Sequence, residues 1–269
     1  MQVIEYPNNS VQIRLYSEVI EAKDKFDLKN LEVKFEKKPR NAVREPFENT
    51  WVTEVKDFDE DKEYREENIK KSLARTRKMI GEYARCAEWE WFCTFTFAPD
   101  KVDRSDFKAC MRKTRNWLQN ARKRLAPDLQ YMVVPELHAD GINWHVHLLL
   151  ANIGDIRLTE SGKKVSGQMV YNVNGWKLGY STATKVRDVY RVQRYIVKYM
   201  TKSTHINAKG AHRYYISNNL EKPRKSYMMC KYSEMEERVA EIADSLGKQV
   251  VYQKEVKGDY LDVTYIELE

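Results

Sequence analysis

Hydrophobic and polar positions alternate along this chain in two distinct periods. At 10–20 the apolar residues Val11, Ile13 and Leu15 recur every second position, the signature of a half-buried strand. The stretch 59–88 instead predicts one long helix, acidic at its start and basic later, an order that suits the helix dipole. At 89–97 aromatic residues and threonines alternate with period two, which predicts a strand that Pro99-Asp100 ends. Ser105 is placed to cap a following helix that runs to about Leu125, where Ala126-Pro127 stops it. Two apolar strands, 129–136 and 142–152, flank His138-Ala139-Asp140-Gly141, a turn with an Asp-Gly signal, so the pair reads as a hairpin. Another strand is expected within 171–184. Val189, Val192, Ile196, Val197 and Met200 have helical spacing, and 212–217 reads as a short strand. A helix at 233–246 is stopped by Gly247, and 250–256 with 260–268 form a closing hairpin. Mixed runs of this kind favour an α+β fold with helices packed on an antiparallel sheet. The segment 24–50 is charged and irregular, with prolines at 39 and 46.

Composition narrows the classes. Of 269 residues, 42% are hydrophobic, enough for a packed core and against wholesale disorder. Apolar runs such as 147–153 fall far short of the ~20 residues of a membrane span. The first residues have neither a basic n-region nor an apolar h-region, so no secretory signal is read and the expected location is the cytoplasm. Cys86, Cys93, Cys110 and Cys230 are scattered, which argues against a disulfide framework and a structural zinc site. The net charge of +7 is modest but unevenly spread. Within 105–125 lie Lys108, Arg112, Lys113, Arg115, Arg122, Lys123 and Arg124 against Asp106 alone, and within 184–202 lie Lys185, Arg187, Arg191, Arg194, Lys198 and Lys202 against Asp188. Two basic faces suggest an anionic partner, nucleic acid first, and are equally what two solvated helix faces look like.

Two constellations carry candidate chemistry. In a strand, His145 and His147 point to the same face, close enough to share one metal ion. A buried hydrogen-bonded pair would read the same way. Glu136, near the end of the partner strand, folds back towards them. Two imidazoles and a carboxylate suit a divalent ion with open positions, with His138 in the turn as a substitute. The second constellation is on the helix at 188–201. Tyr195 and Tyr199 are neighbours on one face, with Lys198 and Lys202 each three residues after a tyrosine. A phenol beside an ammonium fits a tyrosine nucleophile attacking a phosphodiester; an amphipathic helix with aromatics on the sheet and lysines in solvent has the same pattern.

Taken jointly, the motifs resemble the HUH-superfamily rolling-circle replication initiators of the phage and mobile-element replication-associated type. Phe92-Cys93-Thr94-Phe95-Thr96-Phe97 is similar to that family's first motif, His145-Val146-His147 to its metal motif, and 195–202 to its third motif in the two-tyrosine form; Arg213-Tyr214-Tyr215-Ile216-Ser217 adds to the likeness. The resemblance covers about 89–223. It divides the chain into an N-terminal extension (1–88), a nickase core (89–223) and a C-terminal helix and hairpin (224–269). It implies a central antiparallel sheet of about five strands flanked by helices, with the histidines on a middle strand. It also implies a metal-dependent tyrosine endonuclease and strand transferase. In that activity Glu136, His145 and His147 hold Mg²⁺ or Mn²⁺, Tyr195 or Tyr199 attacks single-stranded origin DNA, and the freed 3′-OH primes synthesis. The expected DNA contacts are Lys108, Arg112, Arg115, Lys185, Arg187, Arg191 and Arg194. Exposed aromatics such as Trp144 or Trp176 would add stacking, although Trp144 alternates with His145 and so points away from the metal side. No Walker segment is present, so a host helicase and polymerase are the expected partners and no nucleotide cofactor is expected. The competing readings are a non-catalytic DNA-binding regulator of replication, and a relaxase or transposase of the same chemistry. A hydrolase needing a longer His/Asp motif is excluded, because Leu148-Leu149-Leu150 follows the pair.

Overall fold

The computed structural model describes residues 1–17, 42–44, 51–53, 58–188, 191, 193, 195–197, 212–257 and 262–269. It separates into two units, one of 18–74 and one of 1–17 with 75–269. In the smaller unit β3 (Ala42–Arg44) pairs antiparallel with β4 (Trp51–Thr53), and helix α1 (Phe58–Tyr83) begins. The larger unit contains the end of α1 and two antiparallel sheets. This is the mixed α+β class expected from the order of periods.

The sheet that carries the candidate chemistry has seven strands, two more than expected. They are β5 (Trp91–Thr96), β6 (Gln130–Leu137), β7 (Trp144–Ala151), β8 (Leu158–Val165), β9 (Gln168–Val173), β10 (Ser181–Lys185) and β11 (Tyr215–Ile216). Their order is β11-β6-β7-β5-β10-β9-β8, with every neighbour antiparallel. β7, with all eight residues buried, lies inside between β6 and β5. One strand escapes the periodic pattern: β8 is mostly exposed, so it has no apolar alternation to reveal it.

Alternation gives the sheet two different faces. On one, Trp91, Cys93 and Phe95 of β5 join Val146, Leu148 and Leu150 of β7 in the main core. Helix α2 (Phe107–Arg124) covers this face through Cys110, Met111, Leu118 and Ala121, a three-and-four spacing. The α2 cap is Asp106, not Ser105: its Oδ1 accepts from the amides of Lys108 and Ala109 at 2.8 and 3.2 Å, while the Ser105 hydroxyl donates to Asp103. Trp144 packs edge-on against Phe107, and Trp176 stacks on Phe95 with ring centroids 4.4 Å apart; both tryptophans are core residues, not exposed stacking surfaces.

The second sheet joins the two ends of the chain. Its order is β12-β1-β2-β14-β13, from β1 (Gln2–Glu5), β2 (Val11–Tyr16), β12 (Arg224–Tyr227), β13 (Val250–Val256) and β14 (Val263–Leu268). Helix α3 (Met235–Leu246) packs Val239 and Ala243 on Val11, Ile13 and Ile266. The opposite face is polar and holds the end of α1. Buried Glu82 accepts from Arg14 at 2.9 Å and from Lys225, and Arg85 grips Glu267 at 3.0 and 2.7 Å. This network is how α1 ends: its last turn has no basic residue, so the expected dipole match is absent there. Replacing Glu82 with alanine leaves the Arg14 guanidinium buried without its carboxylate, and a loss of about 3–5 kcal/mol is expected, measured by denaturant unfolding. The four cysteines are free thiols, and no helix among the described residues is long and apolar enough to cross a membrane.

Candidate functional site

The face of the seven-stranded sheet opposite α2 carries the histidines. The β6–β7 register sets Glu136 directly across from His145, and the β5–β7 register sets Thr94 across from His147 and Thr96 across from His145. The hairpin that produces this register closes through His138 N donating to Asn143 O, with Asp140 Oδ1 accepting from the amides of Ile142 and Asn143. Three donor atoms therefore converge. Glu136 Oε2 lies 2.8 Å from His145 Nε2 and 2.7 Å from His147 Nε2, and the two nitrogens are 3.0 Å apart.

All three side chains are buried. Burial opposes ionisation of the Glu136 carboxyl, but hydrogen bonds from His145 and His147 and their charge outweigh it and hold the group down at about 2. A permanently anionic oxygen thus faces two imidazole nitrogens.

The donor set fits a divalent cation. Two imidazole lone pairs and a carboxylate oxygen aimed at one point repel one another unless a cation lies among them. The outer atoms agree. His147 Nδ1 is 3.0 Å from Thr94 Oγ1, so a proton on Nδ1 is held there and the Nε2 lone pair is left facing the cluster. His145 Nδ1 is buried with no hydrogen-bond partner, and the His138 ring stands 4.3 Å from the His145 ring, placing His138 beside the triad rather than out in solvent. Replacing Thr94 with valine keeps the shape and removes the orienting oxygen. Mn²⁺ affinity is expected to fall about 10–100-fold, measured by calorimetric titration of the folded protein.

Tyr195 lies over the same face. Its ring meets Phe92 edge-on at 5.2 Å, and Phe92 stacks on His147 at 5.6 Å and 19°. Residues 191, 193 and 195–197 are helical, and Asp188 Oδ1 accepts from the Arg191 amide at 3.0 Å. Ile196 is fully buried, while Tyr195 is 46% exposed. The helix approaches α1 at Gly81, where an added Cβ would stand 3.2 Å from the Gln193 side-chain nitrogen. Only a small residue permits that spacing without displacing Gln193.

The other candidates separate. Lys198, Tyr199, Lys202 and Arg194 lie outside the described residues. Arg187 and Arg191 are exposed at the start of the tyrosine helix. Lys185 sits over the Trp91 ring at 5.8 Å, on the α2 side of the sheet. Lys108, Arg112 and Arg115 are exposed on α2, so they lie behind the sheet from the triad. Sequence reasoning misses Thr94 and Phe92 as site residues. Their signal is the alternation at 92–97, which puts Phe92, Thr94 and Thr96 on one face and the core residues on the other.

Comparison with known proteins gives one match. Residues 90–204 match the model of a family described as replication-associated protein, ORF2 type. The match is less than half of the chain, and it runs from the start of β5 past Tyr195, so it contains the triad. It supports a role in the initiation of DNA replication. No curated protein and no solved structure matches the chain.

Proposed function

We propose that the chain is a nickase and strand transferase that cuts single-stranded origin DNA through a phosphotyrosine link and so starts rolling-circle replication. The observation that carries this reading is the convergence of Glu136, His145 and His147 on the sheet face over which Tyr195 lies. Mg²⁺ or Mn²⁺ held by those three donors supplies Lewis-acid polarisation of the phosphate that is cut. Tyr195 or Tyr199 supplies the nucleophile. The phenol oxygen bonds to phosphorus, the bond from phosphorus to the 3′ oxygen of the preceding nucleotide breaks, and the phenol proton ends on that oxygen. The products are a 5′-phosphotyrosine and a free 3′-OH that a host polymerase can extend. Lys198 and Lys202, one helical turn from the phenols, favour the phenolate. One phosphodiester replaces another, so the strand can be rejoined by the second tyrosine without a nucleotide cofactor.

Burial of the triad keeps water from competing with the tyrosine. Arg187, Arg191 and Arg194 are the nearest cations for the DNA backbone. Lys108, Arg112 and Arg115 serve only a strand that has passed round the sheet edge. The test uses end-labelled single-stranded oligonucleotides that tile the DNA flanking the chain's own coding sequence, incubated with Mn²⁺ and run on a denaturing gel. One tile is expected to yield a protein-linked band that EDTA abolishes. Folded protein that forms no adduct with any tile, or forms it equally in EDTA, overturns the reading.

A further inference from the structure

The ladder between β5 and β10 continues beyond the first residue of β10. Thr96 N donates to Tyr180 O at 2.9 Å, and Ala98 N donates to Leu178 O at 2.7 Å. Extending the register that pairs Ser181 with Phe95 puts Tyr180 opposite Thr96. Thr96 is opposite His145, and His145 is opposite Glu136. These four residues form one row across four adjacent strands. Residues directly opposite one another in an antiparallel sheet share a face, so the row lies on the triad face.

The Tyr180 backbone is fixed. The Thr96 hydroxyl accepts from Tyr180 N at 3.0 Å and donates to Tyr180 O at 3.2 Å. The preceding residue, Gly179, packs so tightly that a Cβ there would stand 2.3 Å from Thr96 O, so only glycine allows the approach. Yet the Tyr180 side chain is 72% exposed, more than any other aromatic among the described residues. The other strongly exposed tyrosines, Tyr227 and Tyr252, belong to the five-stranded sheet. Both tryptophans that might have stacked on DNA are in the core.

An aromatic ring on a rigid backbone, left in water beside a phosphate-cutting site, is suited to stack an unpaired base. Every base has a π-face, so the contact tolerates any sequence, and tyrosine has few torsions to freeze. Strands lie about 4.8 Å apart, so Tyr180 stands two strands, roughly 10 Å, from His145 along the row. That is within reach of a nucleotide adjoining one whose phosphate is at the triad. We infer that Tyr180 is the stacking platform for an unpaired nucleobase beside the cleaved phosphate. The inference rests on the nickase reading above and adds to it a defined base contact.

The experiment compares wild type, Tyr180→Ala and Tyr180→Phe by fluorescence anisotropy, with a labelled oligothymidylate and an abasic deoxyribose-phosphate strand of equal length. Losing one base–aromatic stack weakens oligothymidylate binding by about 5- to 150-fold in Tyr180→Ala. Tyr180→Phe keeps the ring and is expected to bind within about twofold of wild type, and all three proteins are expected to bind the abasic strand alike. Tyr180→Ala that binds oligothymidylate as wild type does, or that loses equally on the abasic strand, overturns the inference. The adduct assay with the wild-type protein is read separately. Adduct formation with no stacking effect fails Tyr180 and leaves the nickase standing. A stacking effect with no adduct fails the nickase and, with it, the placement beside a cleaved phosphate.

Discussion

Replacing His145 and His147 together with alanine is expected to abolish metal-dependent cleavage, with a fall in rate on the order of 10³-fold or more. The two imidazoles supply two of the three converging donors, and the carboxylate of Glu136 alone is a poor site for a divalent ion. Lewis-acid stabilisation of a phosphoryl transition state is worth several kcal/mol, and each ~1.4 kcal/mol is a factor of ten in rate. DNA binding is expected to survive, because it rests on basic side chains elsewhere. Both histidines are buried, so the double variant also opens a cavity, and its melting temperature is measured alongside. Glu136→Gln is the companion variant. It keeps the shape and hydrogen-bonding capacity of the side chain but removes the negative donor, so cleavage is lost with little change in stability. Wild-type cleavage by a folded His145→Ala/His147→Ala protein refutes the metal assignment.

Changing both tyrosines to phenylalanine is expected to eliminate every covalent adduct. Phenylalanine deletes only the nucleophilic oxygen and keeps the ring, so the edge-on contact of position 195 with Phe92 remains and the fold is preserved. Each single variant is expected to retain some adduct, since Tyr195 and Tyr199 are one helical turn apart and each has a lysine three residues on. The gel readout separates two outcomes. If Tyr199→Phe alone removes all adduct while Tyr195→Phe turns over fully, Tyr195 is a packing aromatic over Phe92 and the two-nucleophile reading is wrong. If the double variant still forms adduct, neither is the nucleophile.

The histidine pair and its glutamate are legible in the sequence because the information is local. Strand pleating alone puts positions 145 and 147 on one face, and a short Asp-Gly hairpin returns the partner strand within reach, so Glu136 follows from the spacing. The helix bearing Tyr195 is legible for the same reason, its period of apolar residues. Helix α2 departs from expectation only at its cap, where Asp106 and Ser105 are adjacent and both can accept a hydrogen bond from the helix's free amides. Pleating and helical period say which residues share a face. They do not say which face an element covers, because that is set by packing between segments far apart in the chain. Only the tertiary structure could put the basic helix α2 behind the sheet, away from the triad that its charge seemed to serve. Only it could bury Trp176, which lies in an aperiodic turn, against Phe95, and leave Tyr180, four residues on, in solvent. The union of β1 and β2 with β12, β13 and β14 in one sheet is likewise a pairing across more than two hundred residues. No local pattern encodes it, since an edge of one strand is chemically complementary to any other, and the choice is made by the buried side chains that the finished sheet brings together.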